Sequence, residues 1–405
     1  MIYKNITPYR NENSASYPSV PSNTLRFMFS KSDYDPTEAG VGSSGTWAKK
    51  TEFPNANVWD WTNTNTDWSV AFEGAFPDAE NEVRVIAAGD TSSVTKMSAL
   101  FAGVFTGAVQ NATYSLTARN NILSCVPFDI SGTDDIRRMF IGTALKKVVR
   151  FDYSNGNSNL QAQGLFADSL VKDFDELEIG AKLVFTMFSR CYNLIHVGKI
   201  KFDSTKLRTT TNDWAALFTM PIDAPTLNIE TIEGIEGLGN ITNGSGLFTR
   251  LRKLKKIGGS LDCSSMTDLT TIFQSCESLE ELPILENLGS ANVTTAYVAF
   301  SGCYKLKSAP MFDTSHITDA RNMFVNCRAF TEIPDYDFSS VTKVGSFCRG
   351  CENVSSGIIE TYNKFLDRGD SITDHSRTFE NCGINTPEGQ IALSQIPASW
   401  GGTGT

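Results

Sequence analysis

The sharpest chemical spacing in this chain is Cys348-Arg-Gly-Cys351. Two thiols three residues apart can ligate zinc or work as a redox dithiol. The surrounding sequence completes neither chemistry, because no second Cys-x-x-Cys and no pair of histidines supplies further ligands. The three histidines, His196, His316 and His375, lack a nearby Ser or Cys in a nucleophile setting and read as surface or turn residues. No P-loop, His-Glu-x-x-His, Gly-x-Ser-x-Gly or dinucleotide fingerprint occurs. The expectation is a protein that is not an enzyme and holds neither metal nor cofactor.

Three further clusters carry binding chemistry. Arg250-Leu-Arg252-Lys253-Leu-Lys255-Lys256 sets five cations in seven residues, which suits phosphate or acidic-sugar ligands. It equally suits a solvated coil with Leu251 and Leu254 facing inward, the reading preferred here. Asp173-Phe-Asp175-Glu176-Leu-Glu178 is the acidic counterpart. Trp59, Trp61 and Trp68 place three of the six tryptophans within ten residues; aromatic faces stack on sugars, but filling the core of a small β domain is the preferred reading.

The elements that position these residues come from an internal period. Val293, Ile317 and Val341, each followed by Thr, stand 24 apart, as do Phe300 and Phe324, and Cys303, Cys327 and Cys351. One unit runs Phe300-Ser-Gly-Cys303-Tyr-Lys-Leu306, Ala309-Pro310, Phe312-Asp313-Thr-Ser-His-Ile317-Thr318, and the next repeats it from Phe324 to Thr342. Phe-x-x-Cys recurs at Phe188/Cys191, Phe273/Cys276 and Phe379/Cys382; in Ser346-Phe347-Cys348-Arg-Gly-Cys351, Cys348 takes the Phe place. Weaker copies keep only paired apolar residues, at Leu100-Phe101, Met139-Phe140, Leu165-Phe166, Leu217-Phe218 and Leu247-Phe248. One such coil cannot bury its own apolar face, so neighbours must cover it. Phe, Cys and Leu should therefore point inward. A strand is expected after each Leu, over 306–312 and 330–337, with Pro283, Pro310 and Pro334 marking strand starts or bulges. A short helix or 3₁₀ segment should lead into the next Phe.

These motifs resemble the BspA-like leucine-rich repeats of bacterial surface proteins and of proteins from phages of gut bacteria. The resemblance runs over about 85–382 and is densest over 273–351. It implies adhesion or recognition without catalysis. The expected fold is an α/β repeat solenoid, leucine-rich-repeat-like with parallel stacked short strands, preceded by a small N-terminal β-rich domain. Residues 1–85 form that domain, 86–385 the solenoid of about ten irregular coils, and 386–405 a helical cap and tail. Within 1–85, residues 24–30 alternate like a strand, 40–47 form a glycine-rich loop and 62–66 a polar one. Residues 357–368 read as an amphipathic helix inserted in the last coil. Thr386-Pro387-Glu388 starts a capping helix that runs to about Ile396, and the glycine-rich tail after Trp400 is expected to be loose.

A net charge of −10 argues against a nucleic-acid partner, and no run of about 18 apolar residues spans a membrane. The nine cysteines are expected reduced, because no export signal is seen in a long chain. Its absence favours a virion component, assembled in the host cytoplasm: a phage tail-fibre or receptor-binding protein that meets a host surface glycan or protein. The N-terminal domain would then dock on other virion proteins, and a homo-oligomer is possible. A bacterial cell-surface or extracellular adhesin is the alternative. In either case the candidate ligand-binding residues lie on the strand face: Lys255, Lys256, Glu280, Glu281, Lys307, Glu332 and Asp335.

Overall fold

The structure, a computed structural model, describes residues 25–30, 47–50, 56–61, 67–76, 83–88, 91–106, 115–127, 129–149, 159–207, 217–218, 225–290 and 292–404. The loops expected at 40–47 and 62–66 lie outside these, except that Trp47 belongs to a strand. Two compact units result: Met1–Leu194 with Lys201–Leu207, and Ile195–Ile200 with Arg208–Thr405.

In the first unit, β1 (Leu25–Ser30), β2 (Trp47–Lys50), β3 (Ala56–Trp61) and β4 (Val83–Ala88) belong to one sheet. The hairpin of β5 (Val104–Thr106) and β6 (Ser115–Ala118) follows, then β7 (Ile122–Cys125). The sheet order is β2-β3-β1-β4-β7, with only β4 and β7 parallel. Phe27, Phe29, Val58 and Trp59 are buried in it. Because β7 lies beyond residue 85, the sheet is not confined to the segment expected to form it. The later strands are β8 (Glu176–Ile179), β9 (His196–Phe202), β10 (Thr231–Glu236), β11 (Lys256–Ile257), β12 (Ser260–Asp262) and β13 (Ile284–Glu286).

Each unit stacks repeats through one recurring nine-residue segment. In the second unit, parallel bridges connect Asn243, Asp268, Thr295, Asp319, Lys343 and Asp374 in turn. In the first, they connect Asp67, Lys96, Asp135, Gln161 and Leu183. The segment from Asp268 shows the hydrogen bonding. Leu269, Thr271, Phe273 and Ser275 donate their N–H to the carbonyls of Thr295, Tyr297, Ala299 and Ser301 in the next coil, at 2.7–3.0 Å. The alternate N–H groups of Ile272, Gln274 and Cys276 close turns onto Leu269, Thr271 and Phe273. The remaining one, of Thr270, is taken by the Asp268 carboxylate at 2.8 Å. Every N–H from Leu269 to Cys276 thus finds a partner, as burial demands.

This alternation needs a left-handed residue at the fourth and eighth positions. They are Thr271 (φ 56) and Ser275 (φ 58) here, and Val298 (φ 60) and Gly302 (φ 77) in the next coil. A β-branched valine in that region is an outlier, tolerated because the ladder holds it on both sides.

Side chains between the turns form the core. Phe72, Phe101, Phe140, Phe166 and Phe188 stack at 5.5–5.7 Å in the first unit. Phe248, Phe273, Phe300 and Phe324 do so at 5.0–5.8 Å in the second. The cysteine three residues on sends its thiol to the phenylalanine carbonyl of the preceding coil: Cys276 to Phe248 at 3.1 Å, Cys303 to Phe273 at 3.1 Å, Cys327 to Phe300 at 3.2 Å. A small buried donor is what that site requires.

The strands expected over 306–312 and 330–337 do not form. Glu332 makes a single parallel bridge to Ser356, while at the equivalent places of earlier coils β10 pairs with β11 and β12 with β13, in parallel, and β13 starts just after Pro283. At Pro310 and Pro334 no N–H is available, so side chains make the connection. Tyr336 Oη donates to the Pro310 carbonyl at 2.6 Å, and Thr314 Oγ1 to the Asp337 carbonyl at 2.7 Å. In place of the short helix before Phe324, the chain runs through the left-handed turns described above.

At Cys348 the phenylalanine stack stops, and the space is filled from elsewhere. Phe347 meets Phe324 edge-on at 5.5 Å. Phe338 and Phe365 close around Phe347 at 5.5 and 5.6 Å. Phe365 comes from α1 (Ile358–Leu366), which buries Ile358, Thr361, Tyr362 and Phe365. The inserted helix therefore replaces the aromatic that the coil lacks. α2 (Pro387–Ser394) begins as expected, with Thr386 Oγ1 accepting from the Gly389 N–H at 3.0 Å. Beyond it Trp400 stacks on His375 at 4.3 Å, and its carbonyl accepts the Phe379 N–H at 2.9 Å. That caps part of the last coil's edge. The tail is not loose: Thr403 N–H donates to Leu393 and Gly404 N–H to Ile396, at 2.8 and 2.9 Å. Gly402 permits this approach, since a Cβ there would sit 1.9 Å from the Ile396 carbonyl oxygen.

Candidate functional site

Three residues after the cysteine of a coil in the second unit, or after Leu251 where a coil has leucine there, a buried apolar residue anchors two exposed ones. The anchors are Leu254, Leu279, Leu306 and Phe330. Beyond them lie Lys255-Lys256, Glu280-Glu281, Lys307-Ser308 and Thr331-Glu332, all exposed. All seven expected binding residues are thus on the surface, in columns that run across the coils.

Several of these residues spend their charge on neighbouring side chains. Lys255 Nζ lies 2.7 Å from Glu230, and Lys307 Nζ 2.8 Å from Glu280. Each pair lowers its carboxylate's pKa by hydrogen bonding and then by charge, and the Glu280 contact raises that of Lys307. Asp335 pairs with Lys364 of α1. Lys256, Glu281 and Glu332 form no ion pair among the described residues.

The basic run is likewise met by polar groups of adjacent coils, acidic and amide. Arg252 lies 3.2 Å from Glu277, Lys253 donates to Asn228 at 2.6 Å, and Leu251 and Leu254 face inward. In the acidic run Phe174 and Leu177 are buried and Glu176 pairs with Lys201. Trp59 and Trp68 are buried, which removes these two from sugar stacking; the Trp61 side chain lies outside the described residues. His196 Nδ1 meets Thr231 Oγ1 at 2.8 Å, and His316 is exposed.

The columns include a feature the sequence reading passed over. The residue after the recurrent proline is Ile284, Met311 or Asp335. Ile284 and Met311 are 69% and 68% exposed, far more than a core aliphatic. The signal was present, since the proline fixes the phase of its successor. A second missed group flanks the turns: Arg321 lies over Tyr297 at 5.1 Å and Arg328 over Tyr304 at 5.2 Å. Arg321 is also held by Asp319, and Arg328 lies 3.6 Å from Glu352. Tyr and Arg on a rigid support are residue types enriched at binding interfaces.

All nine cysteines are free thiols, and all but Cys125 are buried. Burial pushes Cys191, Cys263 and Cys303 up to about 12, and Cys276 well above the ordinary thiol value. Among the described residues no group of three or more His, Cys, Asp or Glu side chains is placed to hold a metal ion, and no helix is long and apolar enough to cross a membrane.

Comparison with curated proteins and with solved structures returns no match. Residues 242–362, which hold these columns, match the family model described as "Mycoplasma protein of unknown function, DUF285", in agreement with BspA-like repeats over this part of the chain.

Proposed function

We propose that this chain is a non-enzymatic binding protein, a leucine-rich-repeat-type solenoid whose coils present a surface to a macromolecular partner. The observation that carries the reading is the pair Ile284 and Met311. They stand in solvent at equivalent positions of adjacent coils, on the segments that also carry Glu281 and Glu332, which form no ion pair among the described residues. Exposed apolar side chains rimmed by charge are what a binding surface offers. The backbone is tied to an adjacent coil at Ile284 by the β12–β13 pairing and next to Met311 by the bond of Tyr336 Oη to the Pro310 carbonyl, so little order has to be gained on binding.

The finer proposal is a phage tail-fibre or receptor-binding component. Its repeats recognise a host surface glycan or protein, and its N-terminal β-rich part docks on other virion proteins. The repeat resemblance supports it. A bacterial adhesin of the same repeat type is the second reading, favoured by a matched family that is described from a cellular organism. Density-gradient fractionation of particles from the source culture, with mass spectrometry of each fraction, separates the two. Recovery with intact virions supports the first; recovery only in bacterial envelopes or supernatant overturns it. The binding claim itself is tested with the exposed double variant Ile284→Asp/Met311→Asp. Attachment to host cells should fall at least ~10-fold, the effect of removing ~1.4 kcal/mol, and unchanged attachment would move the surface elsewhere.

A further inference from the structure

The thiols of the last two coils depart from the rule that the other coils follow. Cys276, Cys303, Cys327 and Cys351 each send Sγ to the carbonyl of the preceding phenylalanine, at 2.9–3.2 Å. Cys382 occupies the same position one coil later, but the preceding aromatic place holds Cys348. Its Sγ lies 3.5 Å from Cys348 Sγ, at van der Waals contact. Cys348 is where the phenylalanine stack is interrupted and α1 supplies the missing ring, so a third sulfur is brought beside the column without loss of packing. Both thiols are fully buried, Cys382 in the coil nearest the C-terminal cap and Cys348 in the coil before it.

We propose that Cys348 and Cys382 are a modification site, a thiol pair that a peroxide converts to a disulfide joining the last two coils and closing the loop that contains α1. In the opened coil one thiol, which burial keeps protonated in the folded chain, gives its proton to solvent; its thiolate attacks a hydrogen peroxide oxygen, giving a sulfenic acid and a hydroxide that takes a proton to become water. The second thiol then attacks the sulfenic sulfur, forms the S–S bond and releases a second water, its proton going to the departing hydroxide. Two thiols lose two electrons and two protons, and one peroxide is reduced to two waters. The sulfurs must close from 3.5 Å to roughly 2.05 Å. Local opening of a terminal coil, the least costly kind in a stacked repeat, admits the small oxidant.

The test uses the full chain in its native state. It is treated with hydrogen peroxide, residual thiols are blocked with an alkylating agent under denaturing conditions, and the disulfide-linked peptides are mapped by mass spectrometry. The expected product is a Cys348–Cys382 link, lost on treatment with dithiothreitol and accompanied by a higher urea midpoint for the C-terminal repeats. A conservative Cys382→Ser variant should lose both the link and the shift, while native circular dichroism reports whether it has folded. A Cys348–Cys351 link in the wild type, irreversible oxidation of Cys348 and Cys382, or all nine thiols remaining alkylatable would each overturn the proposal.

Discussion

Cys303→Ala separates a structural thiol from a merely tolerated one through its pH dependence. Cys303 is fully buried, donates to the Phe273 carbonyl at 3.1 Å and is pushed by burial from the ordinary 9.0 up to about 12. In the unfolded chain the thiol ionises near 9.0; in the folded chain it keeps its proton. A folded pKa above the unfolded one gives a contribution fully present below pH 9 and lost progressively as pH rises toward 12. The loss runs at about 1.4 kcal/mol per pH unit, so by pH 10.5 the wild type has lost about 2 kcal/mol through this site alone. The alanine variant has no such proton. At pH 7.5 it should be less stable by about 1–2 kcal/mol, for the lost hydrogen bond and a small cavity. The gap should close, or reverse, by pH 10.5. Urea unfolding followed by far-ultraviolet circular dichroism at half-unit pH steps, with reductant present, measures this directly. Other alkaline titrations, of Lys and Tyr, are common to both proteins and cancel in the difference. A gap constant from pH 8 to 10.5 would refute the assignment of Cys303 as a protonated, solvent-excluded donor.

Other variants probe the remaining devices. Phe324→Ala removes a ring packed against Phe300, Phe330, Tyr336 and Phe347. It should cost about 3–5 kcal/mol by denaturant titration, and a loss under 1 kcal/mol would mean the stack is not the core of the unit. Cys348→Phe, which restores the repeat's own residue, should destabilise by about 1–3 kcal/mol, because Phe347, Phe338 and Phe365 already occupy the volume; a gain in stability would show the space to be empty. Thr386→Ala removes the cap of α2 and should cost about 1 kcal/mol, visible as faster amide exchange at Gly389. Charge reversal at Lys256, Glu281 and Glu332 together should leave the urea midpoint unchanged while weakening host-cell attachment, and an equal loss of both would reassign these residues to the fold.

The 24-residue period places Phe300, Cys303 and Leu306 inward, and the structure buries all three. That much was legible because one apolar face per coil leaves the sequence no other phase. The path of the backbone was not. Glycine and asparagine hold some of its left-handed positions, at Gly302 and Asn326 for example, but others are held by Arg250, Thr271, Val298 and Arg377, residue types that do not announce such a conformation, because hydrogen bonds between coils impose it from outside. The strand expectation failed at Pro310 and Pro334 because β propensity says nothing about who supplies the missing donor. On the surface, the exposed columns followed from phase, but the pairing of Lys255 with Glu230 depended on which coils are neighbours. The contact of Cys348 with Cys382 was hidden further, since α1 lies in the chain between them.

The interstrand bonding also has an electrical consequence. In the second unit, four peptide groups per coil turn their carbonyls toward the preceding coil and their N–H groups toward the following one, at every junction from Asn243 to Asp374. Each carries a dipole of about 3.5 D, and because all share one sense their fields add along the stack as they do along a helix. The unit therefore has a cathodic and an anodic end irrespective of its side chains, and the N–H end falls on the coil that carries Asp374 and Glu380. Two copies cannot be joined through this ladder by like ends, because donor would face donor; only opposite ends are complementary.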